Sequence, residues 1–223
     1  MSDFVTMRRM MVDGQIRTAD VTDSSIIDAF MKLPRERFLP DRVAALAYLD
    51  IDLPVGEPAN GVAPRRLLKP MVLAKMVQAL ELQEGARVLD VGCATGYAAA
   101  LLAELGCSVV ALEQDPGLER QARAAVAAMD IRNVEVISGK LPEGWLPGAP
   151  YDSILIEGAV DMPPDRLCAQ LRDGGRLVCI QGAGPATQAT LYRRDLDDVS
   201  ARPIFDAAAP VLPGFAKPAA FVF

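Results

Sequence analysis

A chain of 223 residues, 51% hydrophobic and 23% charged, can bury one substantial core and needs no second domain. Its net charge of −6 argues against a phosphate-backbone partner, since nucleic-acid affinity comes mainly from clustered Lys and Arg; the short basic groups Arg8–Arg9, Lys32/Arg35/Arg37 and Arg65–Arg66 read as solvated faces. The absence of histidine excludes Ser-His and Cys-His dyads and the hydrolytic triads built on them, and it leaves the widely spaced Cys93, Cys107, Cys168 and Cys179 without partners for a mixed zinc site.

Met1 to Met11 lacks the uninterrupted apolar core of a signal peptide, and the most apolar long stretch, Tyr97–Leu112, is broken by Glu104 and Gly106. The expectation is a soluble, cytoplasmic protein with no membrane partner and reduced, buried thiols at Cys107 and Cys179. Asp23 is placed as an N-cap ahead of Ile26, Ile27, Phe30 and Leu33 at helical spacing, and Pro34 stops that run. Leu53 to Pro70 holds four prolines and two glycines in eighteen residues, a density that predicts irregular structure throughout. Pro70 then suits a first helical position, and Leu73, Val77 and Leu80 form an apolar stripe that ends near Gly85.

After Gly85 the pattern alternates between β and α, the mark of a mostly parallel sheet with helices on both faces. Five strands are expected at Arg87–Val91, Ser108–Leu112, Val134–Ile137, Ser153–Ile156 and Arg176–Ile180, with helices near Tyr97–Leu105, Pro116–Met129 and Asp165–Leu171. Ala189–Tyr192 and Ala219–Phe223 are candidate further strands at an antiparallel edge. The fold class is therefore α/β and Rossmann-like, with residues 1–69 as an N-terminal helical and loop extension and residues 70–223 as the core of one domain.

Ligands of open α/β sheets sit at the carboxyl ends of the strands, which directs attention to the loop Asp90-Val91-Gly92-Cys93-Ala94-Thr95-Gly96-Tyr97. Ala and Tyr stand where a dinucleotide fingerprint needs its second and third glycines, and no Gly-Lys-Ser/Thr follows for a phosphate loop. An acid at a strand end and two glycines flanking small residues suit S-adenosyl-L-methionine, whose sulfonium and ammonium are cationic and which has no pyrophosphate to cradle. Glu113 follows Gly92 by 21 residues at the end of the second strand, where a carboxylate can accept from both ribose hydroxyls. The candidate cofactor residues are Asp90, Gly92, Cys93, Ala94, Thr95, Gly96 and Glu113. Cys93 is explained by small size, Trp145 by packing, and Tyr97 equally by ligand contact or by core packing. Asp161-Met162-Pro163-Pro164-Asp165 reads as a turn into a helix.

Taken in order, Met11-Val12-Asp13-Gly14-Gln15-Ile16, Pro34-Arg35-Glu36-Arg37-Phe38-Leu39-Pro40, Ala47-Tyr48-Leu49-Asp50, Leu53-Pro54-Val55-Gly56, the Asp90–Tyr97 loop, Gly144-Trp145, Ala149-Pro150-Tyr151-Asp152 and Gly174-Gly175-Arg176-Leu177-Val178 make a specific set. With these segments the chain resembles the protein-L-isoaspartate O-methyltransferase family, which esterifies the free carboxylate of isomerised aspartyl residues. The resemblance implies a Rossmann-like S-adenosyl-L-methionine-dependent methyltransferase, with a protein or peptide carboxylate, or another small acidic group, as acceptor. It places Lys140 and Leu141 beside the adenine, Lys140 standing where the family carries an acid; Glu157 ends the fourth strand, where the family tends to a small or hydroxylated residue, and reads either as a surface or structural residue or as one facing cofactor or substrate. Leu68 occupies the position of the family's serine, so no catalytic residue carries over, and isoaspartyl turnover is expected to be weak or absent. The stretch between Gly56 and Arg66 is longer than the family pattern. Leu68 and Lys140 also carry the alternative, a cofactor-sensing or interaction protein in which catalysis is lost.

Overall fold

The computed structural model describes residues 3–56, 64–184 and 186–217. Its elements in chain order are α1 (Phe4–Met11), α2 (Ser24–Lys32), α3 (Asp41–Ala44), β1 (Leu53–Pro54), β2 (Arg66–Leu67), α4 (Pro70–Ala79), β3 (Arg87–Val91), α5 (Tyr97–Glu104), β4 (Ser108–Glu113), α6 (Pro116–Ala128), β5 (Val134–Ser138), β6 (Tyr151–Val160), α7 (Asp165–Cys168), β7 (Leu171–Gln181), β8 (Gln188–Asp195) and β9 (Asp198–Asp206). β3 to β9 form one sheet in the order β5-β4-β3-β6-β7-β8-β9. The first five of these lie parallel, and β8 and β9 continue the sheet antiparallel.

Successive strand side chains point to opposite faces, and the core divides accordingly. Val88, Val109, Ala111 and Leu155 join one buried cluster with α4, α5 and the N-terminal helices, whereas Leu89, Val91, Val110, Leu112, Ile154 and Ile156 join the other, with Leu141 and Leu167. Local signals set the helix ends. The Asp23 side chain accepts from the amides of Ser25 and Ile26 at 2.9 and 3.4 Å, and Asp115 accepts from Gly117 and Leu118 at 2.7 and 2.9 Å ahead of Pro116. Asp50 and Asp52 do the same for the start of α4, accepting from Met71 at 3.1 Å and from Lys69 at 2.8 Å.

Three expectations need correction. The expected helix Asp165–Leu171 is a single turn, because Leu171 is drawn into the sheet opposite Tyr151 and the glycine pair bends β7 instead of ending a helix. The stretch Leu53–Pro70 is not wholly irregular: buried Leu53 and Leu67 face each other in the two-residue ladder of β1 and β2. Ala189–Tyr192 does lie in an antiparallel strand, but the outer edge is β9, an exposed strand that breaks hydrophobic alternation and contains Pro203. The other candidate, Ala219–Phe223, lies outside the described residues. Among those residues no helix is long and apolar enough to cross a membrane.

Candidate cofactor and acceptor site

β3 carries Asp90 into the middle of the parallel sheet, between Ala111 of β4 and Leu155 of β6. The chain then coils tightly, with Gly92, Ala94 and Gly96 at φ of 77°, 50° and 88°. The Gly92 and Cys93 amides both donate to the Leu112 carbonyl, at 2.8 and 3.2 Å, which pins the loop to the end of β4. The two glycines serve different ends. A Cβ on Gly92 would lie 2.9 Å from Nη2 of Arg65 and 3.2 Å from Leu212, so this glycine lets those two side chains close against the turn. A Cβ on Gly96 would lie 3.3 Å from that of Ala122, so this one lets α5 and α6 approach. Thr95 also looks away from the site and donates through Oγ1 to the Phe38 carbonyl at 2.6 Å. Cys93 is fully buried, and burial pushes its thiol well above the usual range, as suits an inert packing residue.

Glu113, also fully buried, collects four donors. Its Oε2 accepts from the Ala94 amide at 2.8 Å, and its Oε1 from the Gln114 amide at 2.8 Å, the Asp115 amide at 3.0 Å and Nη1 of Arg65 at 2.9 Å. The other arm of the Arg65 guanidinium reaches the Gly92 carbonyl at 2.8 Å. Arg65 is thus no solvated cation but a bridge between the second acid and the glycine turn, and it walls a cavity of about 640 Å³ with Glu113, Asp115, Leu118 and Pro40. The sequence carries no periodic signal for this contact; only the presence of arginines in the loop near two acidic strand ends hints at it.

One strand away the acids are left differently. Asp90 is fully buried with neither oxygen hydrogen-bonded to a donor, and Oε1 of Glu157 also lacks one; Glu157 lies within β6, which runs on to Val160 past the end expected at Ile156, where the pairing with β7 shifts register. The two carboxyl groups meet each other, a contact that holds only if one of them keeps a proton. Burial, reinforced by the Glu113 charge and opposed by Glu157 and Arg65, pushes Asp90 up to about 7; burial and the neighbouring Asp90 push Glu157 well above the carboxylate range. Glu157 opens onto a second cavity of about 220 Å³, whose walls include Leu68, Arg65, Arg66 and the segment 209–213. That segment crosses the end of β6: the Ala159 amide donates to the Pro210 carbonyl at 3.0 Å, and the Leu212 amide donates back to the Ala159 carbonyl at 2.9 Å. Nothing in the sequence pattern announced it.

The remaining candidates separate cleanly. Leu141 is buried, with its Cδ1 3.6 Å from where a Cβ on Gly92 would lie. Lys140 points to solvent, its side chain 75% exposed and 3.3 Å from Glu143, and lines neither cavity. Leu68 is 2% exposed, and its carbonyl accepts from Nη2 of Arg35 at 2.8 Å. Arg35 is itself wholly buried over the Tyr97 ring, 4.7 Å from its centroid, contrary to its reading as a surface cation. Tyr97 packs edge-on against Phe30 and Phe38, which makes it a core residue. Arg8 is likewise drawn inward, its Nε donating to the Tyr48 hydroxyl at 2.8 Å and its Nη2 lying 3.5 Å from Glu36, so it ties together two of the N-terminal segments quoted above.

The model of the protein-L-isoaspartate(D-aspartate) O-methyltransferase family matches residues 7–203. The chain belongs to this family. A relative from Rhodopseudomonas palustris, protein-L-isoaspartate O-methyltransferase 1, is 39% identical over 92% of the chain and 82% of its own length. A protein-L-isoaspartate O-methyltransferase from Methylorubrum extorquens is 38% identical over 90% and 85%. A solved structure of a protein-L-isoaspartate O-methyltransferase superposes with a TM-score of 0.83 at 25% identity, covering 93% of this chain and 66% of that one. A structure from Plasmodium falciparum in complex with S-adenosyl-L-homocysteine shares the fold, with a TM-score of 0.73 at 16% identity over 95% of this chain and 99% of that one. These matches agree with the resemblance drawn from the motifs and with the Rossmann-like α/β class. Relatives named as methyltransferases do not favour the alternative of a protein without catalysis.

Proposed function

We propose that the chain is an S-adenosyl-L-methionine-dependent O-methyltransferase that esterifies the free carboxylate of isoaspartyl residues in proteins or peptides. The observation that carries the reading is the cluster of buried acids on β3, β4 and β6 beside the glycine turn, with a cavity of about 640 Å³ at Glu113. Asp90 with no donor on either oxygen fits a cationic ligand and would oppose a phosphate. Asp90 and the 92–95 turn would hold the sulfonium and amino acid end, Glu113 the ribose, and Leu141 the apolar side of the base. When bound, the cofactor supplies an electrophilic methyl on a cationic sulfonium. An acceptor carboxylate oxygen needs no base, and the chain's contribution is to hold it in line and away from water. Leu68 and the 209–213 segment supply the apolar walls for that purpose.

The test is transfer of radiolabelled methyl from S-adenosyl-L-methionine to an isoaspartyl peptide, with the aspartyl isomer as control. Base-labile label on the isoaspartyl peptide alone is the expected result. Absence of label beside an active family member that carries the serine overturns the reading.

A further inference from the structure

The acceptor cavity has few polar side chains with which to meet a carboxylate. Around it, Pro64, Leu68, Ala209, Pro210, Val211, Leu212 and Pro213 contribute none, leaving Arg65, Arg66 and Glu157 among the described residues. Arg65 gives one arm to Glu113 and the other to the Gly92 carbonyl, and Arg66 gives one N–H to the Asp52 carbonyl at 3.2 Å and keeps its other donors. Glu157 is the third polar group of the cavity and lies beside Asp90. It is 3% exposed, it touches Asp90, and no donor reaches either Asp90 oxygen. Two buried carboxyls in contact, with no donor at either Asp90 oxygen or at Oε1 of Glu157, favour one shared proton, and a neutral carboxylic acid is a hydroxyl donor.

Resting on the proposed isoaspartyl reading, we infer that Glu157 is carried as the neutral acid and donates its O–H to the acceptor carboxylate, filling the place of the hydroxyl that Leu68 lacks. The groups facing it are Asp90 from β3, Glu113 from β4, Arg65 from the segment before β2, Arg35 from the N-terminal layer and Cys93 from the glycine turn. The surrounding acids and the burial all favour keeping the proton. As the acceptor oxygen bonds to the methyl carbon, the sulfur–methyl bond breaks and its electron pair returns to sulfur. A carboxylate becomes an ester with no proton released, so Glu157 keeps its own throughout. Turning the O–H from Asp90 to the acceptor also leaves Asp90 ionised toward a cationic ligand.

The experiment compares wild type, Glu157→Gln and Glu157→Leu. Isoaspartyl-peptide kinetics are run from neutral to alkaline pH, and S-adenosyl-L-homocysteine is titrated calorimetrically into each protein. Glu157→Leu should raise the KM for the peptide about 5- to 150-fold, with a smaller change in kcat. Glu157→Gln, which keeps a donor but cannot ionise, should recover most of that loss and lack the alkaline rise in peptide KM that wild type shows. Product affinity should hold in both variants. The role is overturned if Glu157→Leu leaves the peptide KM unchanged, if Gln is as damaging as Leu, or if both weaken product binding in parallel with turnover. A wild type that neither binds nor methylates the peptide at any pH overturns the isoaspartyl reading and this role with it.

Discussion

Glu113 and Glu157 lie on the strands on either side of β3, and both are buried, yet the fold surrounds them in opposite ways. Glu113 is surrounded by three backbone amides and a guanidinium, whereas Glu157 meets another acid, and burial beside Asp90 holds its carboxyl well above the usual range. A buried carboxyl can be satisfied by fixed donors or neutralised by a proton, and the two solutions behave differently. Fixed donors make an anchor. A shared proton makes a group whose hydrogen bond can be redirected when something enters the cavity.

The sharpest way to break this comparison is to remove the anchor. Glu113→Ala strands the amides of Ala94, Gln114 and Asp115 and leaves the Arg65 guanidinium without its counter-ion. Denaturant unfolding should show a loss of about 3–5 kcal/mol, and calorimetry should show no binding of S-adenosyl-L-homocysteine. Wild-type stability in that variant would mean that the four bonds do not hold the loop.

The next effect belongs to the proton. Burial raises Asp90 to about 7, well above the ordinary carboxylate range, so the folded protein binds this proton more tightly than the unfolded chain does. Its contribution to stability is complete below about pH 4 and is lost as pH rises to about 7. Asp90→Asn removes the buried charge, so its stability should match wild type at acid pH and exceed it by roughly 2–4 kcal/mol above neutrality. Unfolding curves that stay parallel across that window would sink the shared-proton account.

Smaller effects sharpen the contrast between the two cavities. Arg65→Ala takes away a cation that occupies Glu113 and crowds Gly92, and should tighten binding of S-adenosyl-L-homocysteine by about fivefold, or ~1 kcal/mol. Weaker binding would make Arg65 part of the binding site and not a competitor for it. Lys140→Ala should leave that affinity within about twofold, since the side chain is exposed beside Glu143. A tenfold loss there would restore Lys140 to the adenine, where the family resemblance had put it.

What could be read in the sequence follows from where the signal is local. β3 and β4 are short, mostly buried strands, so their apolar runs stand out, and the caps at Asp23 and Asp115 act within three residues of their own positions. Glu113 was legible because its spacing from Gly92 is imposed by one β-α-β unit. The contacts that shape the cavities are not local. Arg65 meets Glu113 across 48 residues, and Arg35 is buried by Tyr97 and Leu68 from two other elements, so neither leaves a mark on its own neighbourhood. β9 was missed for a simpler reason: an edge strand exposed along most of its length has no buried face to impose alternation.

The crossing of β6 by the segment after β9 also sets when during folding the acceptor cavity comes into being. The cofactor turn is closed by neighbours in sequence, Gly92 and Cys93 on Leu112, a separation of about 20 residues. The acceptor cavity joins walls from residues 64–68, Glu157 and residues 209–213, which bring together chain separated by more than 140 positions. Loops of that length close late, since their entropy is lost before their contacts form. A chain emerging from the ribosome therefore has every residue of the glycine turn and of its Leu112 contact well before it has the residues that close the cavity at Glu157.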